Sequence, residues 1–113
     1  ERFENSSLYS QILSADKIYR EESFFTEISA SEYDPAASDS ESLLIQGSLD
    51  MLCEYKDGFT IIDYKTDKIS EEELVSRYKK QLNLYKLAVE KNYGKPVKKC
   101  LIWSFWLSKE IEI

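Results

Sequence analysis

The stretch GFTIIDYKTDKIS, residues 58–70, decides the reading of the fold. It follows Asp57, and Asp57-Gly58 is a strong turn signal between two strand-like runs. Residues 59–66 read as a strand, apolar through Ile62. Asp63, Lys65 and Asp67 then come in near succession. A strand that only packs a core has no use for two carboxylates and an amine at its end. The run therefore asks for chemistry as well as packing.

Upstream of the turn, LLIQGSLDMLCEY (43–55) reads as the strand that pairs with it. Before that comes the acidic run SASEYDPAASDSES (29–42), whose residues 30–42, with Pro35 inside, are expected to form a solvated loop. KIYREESFFTEI (17–28) is aromatic-rich and reads as a strand. SSLYSQILS (6–14) has serines for a cap and apolar Leu8, Ile12 and Leu13, which predicts a short helix.

Downstream, Ser70 and Glu73 fit a capping box, and Glu71 and Glu72 suit the positive end of a helix dipole. Leu74, Tyr78, Leu82, Tyr85 and Val89 make one apolar stripe, Gly94 is a stop signal, and Pro96 lies just beyond. VKKCLIWSFWL (97–107) reads as a strand buried on both faces. The chain is thus expected to be one α/β domain over 1–113, in the order α-β-β-β-α-β.

With Asp57-Gly58 as a two-residue turn, Lys56 faces Phe59, Asp50 faces Lys65 and Leu52 faces Asp63. Facing residues share a side of the sheet, as do residues two apart along a strand. Asp50, Asp63 and Lys65 then project together, at the end of the hairpin far from its turn. Leu49, Met51, Cys53 and Ile62 form a core layer on the other side. A one-residue bulge would move Asp50 across.

Composition narrows the chemistry. The net charge is −6, whereas a domain that grips DNA by itself normally carries a basic face. If it acts on nucleic acid, another part supplies the grip. There is no histidine, which excludes histidine-based catalysis or metal binding within the chain. Cys53 and Cys100 sit in apolar runs and read as buried free thiols. No signal peptide or membrane span is visible, so a cytoplasmic setting is expected.

Two carboxylates beside an ammonium can be a surface ion-pair cluster. They also suit a hard cation such as Mg²⁺ or Mn²⁺, which takes oxygen ligands, polarises a phosphoryl oxygen and activates water. The amine would then orient that water or offset charge developing on the phosphate.

GSLD (47–50), IIDYKTD (61–67) and QLNLY (81–85), in that order, resemble the motifs of RecB-type nucleases of the PD-(D/E)XK superfamily. The pattern there is G-x-x-D, a short hairpin, D-Y-K-T-D, then Q-x-x-x-Y on the next helix. Within that superfamily the chain is most similar to the AddA group of helicase–nuclease proteins. Its start, FENSSLYSQILSADKIYREESFF (3–25), also resembles that group, with Ser23 where a proline is usual.

The resemblance implies a restriction-endonuclease-like mixed sheet flanked by helices and a Mg²⁺- or Mn²⁺-dependent deoxyribonuclease. By the same resemblance Asp50, Asp63 and the backbone carbonyl of Tyr64 hold the metal, and Lys65 is the catalytic lysine. Glu21 matches an acidic residue near the metal, and Gln81 and Tyr85 line the site and contact DNA. Thr66 and Asp67 shape the strand exit, while Gly47 permits close approach. In the AddA group this domain ends a longer chain whose helicase part uses ATP, works with an AddB-like partner, and processes double-strand breaks for recombinational repair.

A metal-ligating histidine upstream also belongs to that pattern, and the chain has none. With its start lacking methionine, the chain reads as an N-terminally truncated piece that binds metal weakly and cuts poorly alone. The rival readings are a non-catalytic DNA-path or docking domain of the same fold and a stand-alone RecB-like exonuclease. An iron–sulfur nuclease is disfavoured by the cysteine count.

Overall fold

A computed structural model of the chain describes residue 3 and residues 6–38 and 40–113. The elements in chain order are α1 (Ser7–Leu13), β1 (Lys17–Ser29), α2 (Ala30–Tyr33), β2 (Ser42–Tyr55), β3 (Gly58–Lys65), α3 (Glu71–Tyr93), β4 (Val97–Ser104) and β5 (Lys109–Glu112). They form an α/β fold around one mixed sheet of spatial order β1-β2-β3-β4-β5. β3 and β4 run parallel, joined by the α3 crossover, and the other neighbours are antiparallel.

The expected order is the frame of this fold, with two additions. Ser29 and Glu32 make a reciprocal capping box that winds α2 from the start of the acidic loop. The last strand ends at Ser104 rather than continuing to residue 107. Residues 105–108 turn, with the Ser104 hydroxyl accepting the Leu107 N–H and Ser108 at φ 52°, and the chain returns as β5. The run WSFWLS carries no glycine or proline to announce that turn.

α3 starts as its sequence directs. The Ser70 side chain accepts the Glu73 N–H, three glutamates fill the first turn, and Gly94 ends the helix in the left-handed region at φ 67°. Leu74, Leu82 and Val89 pack under it against Leu49, Leu52, Phe59, Ile61 and Ile102. The opposite face of the sheet carries Met51, Cys53, Ile62, Leu101 and Trp103 against Leu8 and Ile12 of α1. Leu13, expected on that helix's apolar face, is 67% exposed, because Leu8 and Ile12 already fill the contact.

Both cysteines are free and buried, and burial pushes each thiol up to about 11. No helix among the described residues is long and apolar enough to cross a membrane.

The hairpin register differs from the sequence reading. Tyr55, not Lys56, faces the returning strand, paired with Gly58, and Met51 pairs with Ile62. Lys56 and Asp57 are the turn. Gly58 has joined the strand, where a Cβ would lie 2.5 Å from the Pro96 carbonyl that accepts the Phe59 N–H. The slip is two residues. Because side chains alternate with period two, it leaves each residue of β3 on the face expected for it.

Leu49 does change side. It packs with Leu52 under α3, while Met51 packs on α1. Residues two apart in a regular strand cannot do this, so the alternation breaks between them. The β1–β2 ladder pairs Arg20 with Met51 and Glu22 with Leu49 but omits Glu21 and Asp50, and Glu21 has φ 50°. This local irregularity acts as a bulge does, re-aiming the side chain beside it.

Candidate active site

The re-aimed side chain is Asp50. One step beyond the last paired residues of β2 and β3, its Oδ2 accepts the Tyr64 N–H at 2.8 Å. A backbone group of β3 thus fixes the carboxylate of β2. Asp63 comes to the same spot, close enough that each carboxyl shifts the ionisation of the other. Lys65 Nζ lies 2.9 Å from Asp63 Oδ2, with the two side chains only 20% and 13% exposed, so water screens this pair little.

These contacts set the charges. Burial, followed by the hydrogen bond to Asp50, pushes Asp63 up to about 6, against the pull of Lys65. Burial also acts to raise Asp50, but the bond from Asp63, the Tyr64 N–H and the Lys65 charge together hold it below the usual carboxylate range. Burial would lower Lys65, yet Asp63 outweighs it and holds the ammonium up. Below about pH 6 Asp63 therefore keeps its proton beside ionised Asp50.

Two carboxyls at one point repel unless a proton or cation lies between them. Their oxygens are the donor set a small hard cation takes, with waters completing its shell. The residues present therefore fit a divalent ion. Among the described residues, no group of three or more His, Cys, Asp or Glu side chains is placed to hold one.

Glu21 accordingly stays apart from the pair as a ligand set. Its place in β1 is across from Asp50, but its side chain is exposed. Gln81 and Tyr85 form a unit of their own: Gln81 Nε2 donates to Tyr85 Oη at 3.0 Å, and the Tyr85 ring meets Phe24 edge-on. That ring occupies the space above Gly47, where a Cβ would lie 2.6 Å from its hydroxyl. The close approach expected at Gly47 is made by this side chain, three residues before Asp50.

Asp67 ties the strand exit to α3, accepting Arg77 Nη1 and Tyr78 Oη on the same oxygen, each at 2.8 Å. Tyr78 was missed as a site residue. Lys65 Nζ sits 4.0 Å over its ring, so the lysine lies between a carboxylate and an aromatic face. The available signal was its hydroxyl, since a stripe position serving only the core would suit leucine as well.

A family model for the PD-(D/E)XK nuclease superfamily matches residues 4–110. The chain belongs to the PD-(D/E)XK nuclease superfamily. Among similar PD-(D/E)XK relatives is the ATP-dependent helicase/nuclease AddA of Clostridium beijerinckii, 44% identical over 104 residues, covering 87% of this chain and 8% of that protein. The protein of the same name from Clostridium perfringens strain ATCC 13124 is 40% identical, over 88% of this chain and 8% of its own length. That of Carboxydothermus hydrogenoformans is 40% identical, over 91% and 9%.

This PD-(D/E)XK domain thus spans under a tenth of the length of these relatives. The crystal structure of SSO0001 shares the fold with a TM-score of 0.56 at 18% identity, covering 94% of this chain and 46% of the other.

Proposed function

We propose that this domain hydrolyses DNA phosphodiesters with a divalent cation, as the nuclease part of an ATP-driven helicase–nuclease that processes broken DNA ends for recombination. The observation that carries the reading is Asp50, held by the Tyr64 N–H, beside Asp63, with Lys65 Nζ 2.9 Å from Asp63. The 40–44% identity to helicase/nuclease proteins over most of the chain supports the larger setting. So does the net charge of −6: a domain this acidic acts on an acidic polymer most readily when helicase domains and a partner protein deliver the strand.

Asp50, Asp63 and the Tyr64 carbonyl would hold Mg²⁺ or Mn²⁺. The bound ion supplies Lewis-acid polarisation of the phosphate and eases ionisation of water. Asp63 must release its proton to serve as a ligand. Lys65, freed from charge neutralisation of Asp63, can donate to the attacking water or to a phosphate oxygen as negative charge builds. Tyr78 limits where that ammonium can go. Tyr64 N–H keeps Asp50 in one orientation throughout. Gln81 and Tyr85 line the path of the strand along α3.

The test is Asp63→Ala in the intact protein. Nuclease activity is expected to fall by at least about 10²-fold, with ATPase activity unchanged. Retained cleavage with normal ATPase would sink the assignment.

A further inference from the structure

At the carboxyl ends of β3 and β4 the turn 105–108 displays two aromatic side chains, Phe105 at 50% and Trp106 at 56% exposure. Isolated exposed aromatics are common and carry no meaning by themselves. This turn is different because it is anchored on both flanks and at the site. The Phe105 N–H donates to the carbonyl of Lys65 at 3.0 Å, which fixes the turn to the candidate catalytic lysine's own backbone. The Phe105 ring leans on Tyr64, with centroids 5.8 Å apart, and on Trp103. On the other flank Leu107 packs into the core under α3, and the Ser104 hydroxyl holds its N–H. Trp106 is left at the apex, with Lys68 Nζ 5.7 Å from its ring.

We propose that Trp106, assisted by Phe105, is a stacking platform for a base of single-stranded DNA adjacent to the phosphate at Lys65. The inference rests on the nuclease reading and deepens it. Three observations select this occupant. The turn lies at the carboxyl end of the sheet's parallel pair, where α/β sheets bind ligands, and it is hydrogen-bonded to the residue that would meet the phosphate. A domain of net charge −6 cannot draw its hold on a polyanion from charge, whereas base stacking is worth about 1–3 kcal/mol per base and does not depend on it. Lys68 holds a cation over one face of the indole, where it can meet the phosphate of a nucleotide stacked on the other face. Stacking accepts every base, so the platform gives affinity and strand register without sequence preference. A duplex base is not available to it.

Of the two tryptophans, Trp103 is 2% exposed and Trp106 56%, and the part of an intrinsic fluorescence change that Trp106→Phe abolishes reports Trp106. The 113-residue chain is titrated in EDTA with oligothymidylate and, separately, with an equally long abasic strand of the same charge. Quenching by oligothymidylate and not by the abasic strand is expected. Labelled-strand anisotropy should show about ten-fold weaker binding for Trp106→Ala and near-native binding for Trp106→Phe.

Equal responses to the two strands would assign the contact to phosphate and overturn the proposal. No response to either strand would overturn it too. The titration involves no cleavage, which Asp63→Ala in the intact protein tests separately. If that variant still cuts DNA, the nuclease assignment fails while the stacking result stands on its own.

Discussion

Asp63 concentrates the electrostatic cost of the site. Its ordinary value is 3.8, and in the folded chain it is about 6. Between roughly pH 4 and 6 the folded state keeps a proton that the unfolded state has lost, so stability without metal must fall as pH rises through that window. Asp50, held below its ordinary value, works the other way, adding stability above about pH 4 that is lost on further acidification. Asp63→Asn removes the first slope. Urea denaturation in EDTA at pH 4.5 and pH 7 should show the wild type losing on the order of 2 kcal/mol relative to the variant; parallel losses would contradict the pairing with Asp50.

Tyr78 acts through Lys65. Tyr78→Phe keeps the ring beneath the ammonium and loses only the bond to Asp67, so kcat in the intact protein should stay within a few-fold. Tyr78→Leu removes the ring and should lower kcat about ten-fold with KM little changed. Equal effects of the two variants would show that the hydroxyl tie, not the ring, matters.

At the level of elements, the hairpin and α3 are held together where Tyr85 lies on Gly47. A side chain there would meet the phenol at 2.6 Å. Gly47→Val should destabilise the domain by about 1–3 kcal/mol, and much of that loss should disappear in a Tyr85→Ala background. Thermal melts of the four proteins measure the coupling; additive losses would place the strain elsewhere.

The elements also show what a sequence can and cannot announce. α3 was legible because its cap, its stripe and its stop at Gly94 agree. β3 was legible from the Asp57-Gly58 turn signal and the apolar run behind it, and the faces of Asp63 and Lys65 survived an error of two in the register because period-two patterning does not sense it. The irregularity at Glu21 and Asp50 was not legible. A glutamate at φ 50° has no composition signal, and it moved Leu49 to the other core layer while turning Asp50 to the Tyr64 N–H. Nor was the turn after Ser104, written in apolar residues that continue the pattern of a strand.

For the whole molecule, the sheet divides the labour. α3 covers one face with a leucine-rich core, α1 covers part of the other, and the candidate site gathers in the middle of the sheet, where β2 breaks its alternation and β3 ends. Motif spacing brought Asp50, Asp63 and Lys65 together on the page before folding did. The spacing could not say that Tyr78 would bracket the lysine or that Glu21 would stand exposed, since both depend on packing across the chain.

The most direct measurement is single-turnover cleavage of a labelled single strand by the intact protein at saturating Mg²⁺, wild type against Lys65→Ala. If Lys65 assists attack at the phosphate, the variant should cut about 10²–10³-fold more slowly, with strand affinity and ATPase activity unchanged. Cleavage within about two-fold of wild type would contradict the role of the Asp50–Asp63–Lys65 site in cutting DNA.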